Sequence, residues 1–435
     1  MQAENTTFQH DTIGPLKKKR GLTPVNLSDD AWYNKGNGLY NFRNYEEAIR
    51  CYDQALEINP GLGPAWNNKG AALKKLRKYE EAIGCYNKAL EIDPLSCDAW
   101  YNQGNVLYQL GRYDEALGCF DKALEINPHL EGAWNNKGVT LKELGHYEEA
   151  RECYDKALGI NPRLAVAWNN KGIALKELGK YTEARGCYDQ ALEINPHLEG
   201  AWNNKGVTLK ELGYYEEALE CYDTALDINP GLVGVWLNKG SVFRELGKLP
   251  EALGCYNKAL EINPGSSKAW YNKGNVLYQL GNYKEALGCY ERTLEINPGL
   301  GVAWNNKGVA LKELGKFEDA LGCYEKALEI NPGLEGAWNN KGVALKELGK
   351  YEEAIECFDA ALRIDPVLVG TLLNKGSAYR ELGKYEEALA CYDRALEINP
   401  SSSKAWYNKG ATLKDLGNFE EALRCYDKAL GARLA

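Results

Sequence analysis

From Trp32 onward the apolar positions fall in two stripes per unit. Trp32, Gly36, Leu39 and Phe42 step by four, three and three residues, which is the spacing of one helix face and not the alternation of a strand. This predicts a first helix, A. Tyr45, Ala48, Ile49, Tyr52, Ala55 and Leu56 form a second stripe at the same steps and predict a second helix, B. Gly ends helix A from Gly111 to Gly417, with Arg43 and Arg77 in its place in the first two units; a left-handed C-terminal cap suits a residue without Cβ. Asn59-Pro60, Asp93-Pro94 and their successors close helix B, because the residue before Pro resists the helical region. Pro64 and Pro250 fall in first turns, where a missing N–H costs nothing.

The whole pattern recurs at one fixed interval along the chain. Trp32, Trp66, Trp100, Trp134, Trp168, Trp202, Trp236, Trp270, Trp304, Trp338 and Trp406 keep the register, and Leu372 fills the one gap. Twelve units run from Asp29 to the C-terminus, which predicts an all-α chain, an α-α superhelix of helix–turn–helix repeats over 29–435. Residues 1–28 are expected to be a polar arm without fixed structure. A two-helix hairpin cannot cover its own apolar stripe, so successive hairpins must stack. Gly36 and its column let helices A and B approach, and Ala48, with Ala at its position in every unit, does the same from the other side.

The unit resembles the tetratricopeptide repeat, whose signature is Trp-x2-Leu-Gly-x2-Tyr, then Ala-x3-Phe, then Pro. Here it stands as Trp66-x2-Lys69-Gly70-x2-Leu73, Ala82-x3-Tyr86 and Pro94, and the match covers about residues 29–435. The resemblance implies a right-handed superhelix with A helices lining a concave groove, B helices on the convex back, and binding of other proteins without catalysis. Two departures stand out. The family's Leu is replaced by Lys35, Lys69, Lys137 and onward, and by Gln103 in one unit; the column lies inside the apolar stripe, so the stem should pack and the ammonium reach water. No polar helix follows Tyr426, Ala429 and Leu430, although terminal repeats normally carry a polar cap. The alternative to a binding scaffold is therefore a self-assembling solenoid stacked end to end.

Charge narrows the partners. The chain has 52 Lys and Arg against 61 Asp and Glu, a net charge of −9. Residues 1–28 hold Lys17, Lys18, Lys19 and Arg20 against Glu4 and Asp11, so the array alone is at −11, which argues against nucleic-acid binding. The basic run from Pro15 to Arg20 reads as a solvated arm ahead of a nuclear-import signal, and the Asn5-Thr6-Thr7 and Asn26-Leu27-Ser28 acceptor patterns as chance in a chain without a secretory signal. No run approaches the ~18 apolar residues of a membrane span, so a cytoplasmic protein is expected. Of 13 Cys, twelve share one column from Cys51 to Cys425, and Cys97 stands alone. Stacked repeats would hold equivalent Cys at least ~8 Å apart, beyond the ~7 Å limit for bridged Cα atoms, so free thiols are expected. Without a Cys-x-x-Cys, and with only His10, His129, His146 and His197, no metal or cofactor is expected.

The side of helix A away from the apolar stripe carries Asp30, Tyr33, Asn34, Asn37, Tyr40 and Asn41. Most of these columns drift between units. One is invariant: Asn34, Asn68, Asn102, Asn136, Asn170, Asn204, Asn238, Asn272, Asn306, Asn340, Asn374 and Asn408. Asn costs a helix interior up to ~0.7 kcal/mol against Ala, so the column needs a cause. Duplication is one, and amide hydrogen bonds between adjacent A helices are another. The functional reading is that the amides hold the backbone of an extended peptide; the ladder resembles that of the O-linked N-acetylglucosamine transferase superhelix, whose catalytic domain has no counterpart here. Tyr33 with Tyr40, Tyr101 with Tyr108 and Tyr271 with Tyr278, joined by Asn37, Asn105 and Asn275, are candidate hot spots or ordinary packing. Elsewhere the Tyr40 column is Lys or Arg followed mostly by Glu, a self-neutralising face. The Lys and Arg of a clamp for C-terminal carboxylates are missing, since Asp98, Gly336 and Asn408 stand at its cationic positions. No nucleophile with a base, phosphate loop or carboxylate pair stands out.

Overall fold

The computed structural model describes residues 27–434, with side chains to 431; the basic run and both glycosylation patterns start outside these residues. Among the described residues there are 24 helices and no strand, shorter A helices alternating with slightly longer B helices. The first pair is α1 (Asp29–Asn41) and α2 (Tyr45–Ile58), and the last is α23 (Ser403–Asp415) and the extended α24 (Phe419–Leu434). Each boundary has a local cause. Ser28 caps α1 by accepting from the Ala31 N–H (3.2 Å), and Glu46 and Glu47 sit in the first turn of α2, where the helix dipole favours acids. Helix A ends in a left-handed residue, Gly111 at φ 75° being typical, while Arg43 and Arg77 hold φ 61° and 60°. Helix B ends in the extended conformation that Pro demands, as at Asn59 (φ −133°). The indole of Trp66 then donates to the Pro60 carbonyl (3.0 Å), and nine further Trp make the same bond.

The described chain divides into two compact units, up to Gly179 and from Lys180. In each, consecutive hairpins stack in chain order. The core of the first is typified by Leu73, Ala82, Cys85 and Tyr86 meeting Val106 of the next A helix, and that of the second by Leu209, Ala218, Cys221 and Tyr222 meeting Val242. Gly and Ala columns set the spacing: a Cβ at Gly206 would lie 2.6 Å from the Tyr222 ring, and Ala48 and Ala218 are fully buried. Twelve of the Cys are buried free thiols and Cys97 is half-buried. No helix among the described residues is long and apolar enough to cross a membrane.

The Lys column departs from expectation. In nine units its ammonium binds the B-helix carboxylate of the preceding repeat, as in Lys69–Asp53 (2.6 Å), Lys171–Asp155 (2.6 Å), Lys205–Asp189 (2.6 Å) and Lys341–Glu325 (3.0 Å), while Lys35 has no preceding repeat and Lys273 follows Asn257. It also stacks on the Trp of its own helix, Lys69 lying 5.3 Å from the Trp66 centroid. Lys is thus a stitch between repeats. Gln103 is its neutral counterpart, donating to Asn87 (2.7 Å).

Candidate binding face on the A helices

The invariant Asn residues lie along one face of successive A helices, half-buried except Asn34, which is exposed. Their amides reach back to the preceding A helix. Asn102, Asn170, Asn238, Asn340 and Asn374 each donate Nδ2 to an Asn Oδ1 at 3.0–3.1 Å, from Asn67, Asn135, Asn203, Asn305 and Asn339 respectively. Where the acceptor column is Tyr, the bond doubles: Asn68 donates to Tyr33 Oη (3.1 Å) and Asn37 Oδ1 (2.9 Å), and Asn136 to Tyr101 Oη (3.1 Å) and Asn105 Oδ1 (2.7 Å). Asn306 does the same with Tyr271 (3.1 Å) and Asn275 (3.0 Å). A primary amide has two N–H donors and a carbonyl with two lone pairs, so the singly bonded rungs keep one donor. Leu237 and Leu373 interrupt the acceptor column and are buried; no side-chain bond joins Asn272 or Asn408, the next rungs, to those helices.

The candidate tyrosines also pack inward. Tyr33, Tyr101 and Tyr271 tilt against Tyr52, Phe120 and Tyr290 at 6.1–6.2 Å between centroids; Tyr40, Tyr108 and Tyr278 lie against Tyr45, Tyr113 and Tyr283 at 5.2–5.6 Å. Asn37 and Asn275 accept from the buried Tyr52 and Tyr290 hydroxyls (2.9 Å each). Elsewhere Tyr86, Tyr154, Tyr222, Tyr256 and Tyr324 bury hydroxyls with no partner among the described residues.

The charged column is mostly self-neutralised, by Lys142–Glu143 (2.7 Å), Lys176–Glu177 (2.9 Å), Lys210–Glu245 (3.1 Å), Lys312–Glu313 (3.0 Å), Lys346–Glu347 (3.6 Å) and Arg380–Asp415 (2.6 Å). Lys74, Arg244 and Lys414 have no such partner among the described residues. Lys75 and Gln109 stand where other units place acids beside Lys74, and Gln279 stands where Asp415 would answer Arg244. Burial, and then Lys75, push the Lys74 ammonium below its ordinary range. Lys74 borders a cleft of about 410 Å³ with Asn37, Tyr40 and Asn68 in the first unit. Arg244 borders one of about 280 Å³ with Asn275, Tyr278 and Asn306 in the second.

Comparison with known families agrees with the geometry. The tetratricopeptide repeat model matches residues 29–62, 63–94, 97–130, 132–164, 165–198 and 200–232, and the same helix pair continues to Leu434. The chain belongs to the tetratricopeptide repeat family. Residues 228–432 of this repeat protein also match the model of the cilia and flagella-associated protein 70 C-terminal domain. No curated protein matches it significantly. Solved structures similar to the tetratricopeptide array include the Cut9–Hcn1 hetero-tetramer of APC/C, at TM-score 0.50 and 15% identity over 94% of each chain. Yeast Tom70 is similar at TM-score 0.42 and 18% identity over 92% of this chain and 91% of that one. YrrB, described as a TPR protein with an unusual peptide-binding site, is similar at TM-score 0.38 and 28% identity over 44% of this chain and 98% of its own. These are likenesses of fold.

Sequence reasoning missed the Lys stitch and the breaks in the ladder. Both had a signal. Gln103 coincides with Asn87 where nine other units pair Lys with Asp or Glu, and Leu237 and Leu373 coincide with otherwise polar Tyr or Asn.

Proposed function

We propose that this tetratricopeptide array is a non-catalytic scaffold that holds extended, acidic protein segments along its A-helix face. The observation that carries this reading is the pair of uncompensated cations, Lys74 and Arg244, each set in an open polar cleft beside ladder amides. In an acidic chain that neutralises most of this column internally, a partly desolvated cation without an acid is a place for a partner's carboxylate. The ladder serves twice: Nδ2 ties the helices together, and the leftover donors, with the amides of Asn272 and Asn408, meet the segment's backbone. The test is selection from a displayed library of linear peptides. Enriched sequences should carry Asp or Glu, and Arg244→Gln together with Lys74→Gln should weaken them about tenfold or more, the effect of losing charged hydrogen bonds. Failure to enrich any peptide, or equal binding by the double variant, would overturn the proposal.

A second reading has its own observation. Tyr407 and Leu430, 59% and 60% exposed, line a cleft of about 960 Å³ at α23 and α24. Tyr407 occupies the column through which Tyr33 accepts Asn68, and Asn34 has no side-chain bond among the described residues. A second copy seated there would let Asn34 meet Tyr407. Light scattering over a range of concentrations should then find growing mass, lost in Leu430→Glu; a constant monomer mass excludes it.

A further inference from the structure

Of the eleven indoles in the chain, ten carry an ammonium on the ring. The Lys three residues further along the same helix supplies it, as Lys69 does at 5.3 Å from the Trp66 centroid and Lys171 at 5.1 Å from that of Trp168. In three units a second Lys, from the B helix that follows, lies closer still: Lys156 over Trp134, Lys326 over Trp304 and Lys428 over Trp406, at 4.2–4.4 Å. Trp100 has no cation on its ring among the described residues. Gln103 stands where the first Lys belongs, and Lys122, at the second position, binds Glu125 instead (2.7 Å).

The uncovered indole borders a cleft of about 730 Å³ among α4 (Tyr79–Ile92), α5 (Cys97–Gln109) and α6 (Tyr113–Ile126), within the ~300–1,000 Å³ of small-ligand sites. Where Lys375 keeps the common residue, the corresponding cleft is about 420 Å³. Trp100 and Ile83, both only partly buried, give the larger cleft an apolar wall. Its charge is acidic. Glu91 and Glu115 line it with Arg112, which Glu115 holds through two bonds (2.6 and 2.7 Å); Glu80 lies 3.9 Å from Arg112 and Lys88 2.6 Å from Glu91, so three acids stand against two bases. The kind of cation that fits follows from the amides. In nine units a carboxylate holds the primary ammonium as well as the ring, but here Asn87 stands in that place and its Oδ1 already accepts from Gln103 (2.7 Å). A primary ammonium would give up water without a charged acceptor in return. A quaternary ammonium donates no hydrogen bond and is attracted by the ring face and the surrounding acids alone.

We propose that this cleft binds a small quaternary ammonium ion, its charge over the Trp100 ring and its methyl groups against Ile83. The site is independent of what the A-helix face holds. The test is titration of the full chain with choline, followed through the indole N–H resonances. The Trp100 resonance, assigned as the one lost in Trp100→Leu, should shift saturably with a Kd of about 1–10 mM, while the indoles already covered by Lys stay in place. Leu372 fills this column in one unit, so the Leu variant keeps the fold. Asn87→Asp together with Gln103→Lys, which restores the pair of the other units, should abolish the shift while leaving the melting temperature equal or higher. Ethanolamine, a primary ammonium, and the uncharged isostere with carbon in place of the quaternary nitrogen should each bind about fivefold or more weakly than choline. No saturable shift at Trp100, an undiminished shift in the folded double variant, or equal affinity for ethanolamine or the uncharged isostere would each overturn the proposal.

Discussion

At the scale of single residues, the same backbone position is occupied by different side chains at different cost. Arg43 and Arg77 hold the left-handed conformation that ten Gly hold elsewhere, and a Cβ there is strained. Arg77→Gly should therefore raise stability by up to about 1 kcal/mol, the strain relieved being partly offset by the freer unfolded chain; the reverse change, Gly213→Arg at φ 81°, should lower it by a similar amount. Urea denaturation midpoints of the two variants measure this, and a loss in Arg77→Gly contradicts it. The cysteines differ in the same residue-specific way. Burial pushes the Cys85, Cys119 and Cys153 thiols up to about 11, so few of them are thiolate at neutral pH. Cys97 is only half-buried. A disulfide reagent applied to the native protein should modify Cys97 first and the column only on unfolding; rapid reaction of several thiols in the native state would contradict the packing.

At the scale of the helix, the ladder separates rungs that hold the stack from rungs that do not. Asn136 makes two bonds to the preceding A helix, and Asn272 follows the helix of Leu237 without one. Each neutral bond contributes about 0.5–1.5 kcal/mol, and Asn→Ala returns up to about 0.7 kcal/mol of helix propensity. Asn136→Ala should therefore lower the denaturation midpoint, and Asn272→Ala should hold or raise it. Equal losses in the two would mean that the amides stabilise the array by some means other than these bonds. In peptide binding the order should invert per rung, Asn272→Ala losing more, because its amide is the one left to a ligand.

At the scale of the whole molecule, repetition multiplies small effects. Burial raises the Tyr256 and Tyr392 hydroxyls from 10.0 to about 12 and Cys221, Cys255, Cys289 and Cys357 from 9.0 to about 11. An acid whose pKa is higher when folded loses its proton first in the unfolded chain, so its contribution is complete below the unfolded pKa and is lost as pH rises through the folded one. Stability should be flat up to about pH 9 and fall steeply from there through 12, the window those thiols and phenols define. Melting temperature against pH checks this, and phenolate absorbance should rise for the buried Tyr only as helicity is lost. A melting temperature unchanged above pH 10 would contradict it.

The sequence by itself determined the helices, their ends and their order, because each is encoded locally: an apolar stripe at helical spacing, a Gly or Pro at the boundary, and a fixed repeat interval kept by Trp. It also marked the A-helix face, since an invariant polar residue at an exposed register demands a cause. Only the tertiary structure decided what the side chains on that face meet. The Lys137 ammonium finds Asp121 on the preceding B helix, and the Asn68 amide finds Tyr33 and Asn37 on the preceding A helix. Neither spacing belongs to one helix, so neither is a periodicity that a single chain pattern displays. The same holds beside Leu372, where Arg363 and Arg394 belong to different helices but line one cleft. Stacking brings them to one cleft because packed helices align residues that lie on different helices of neighbouring repeats.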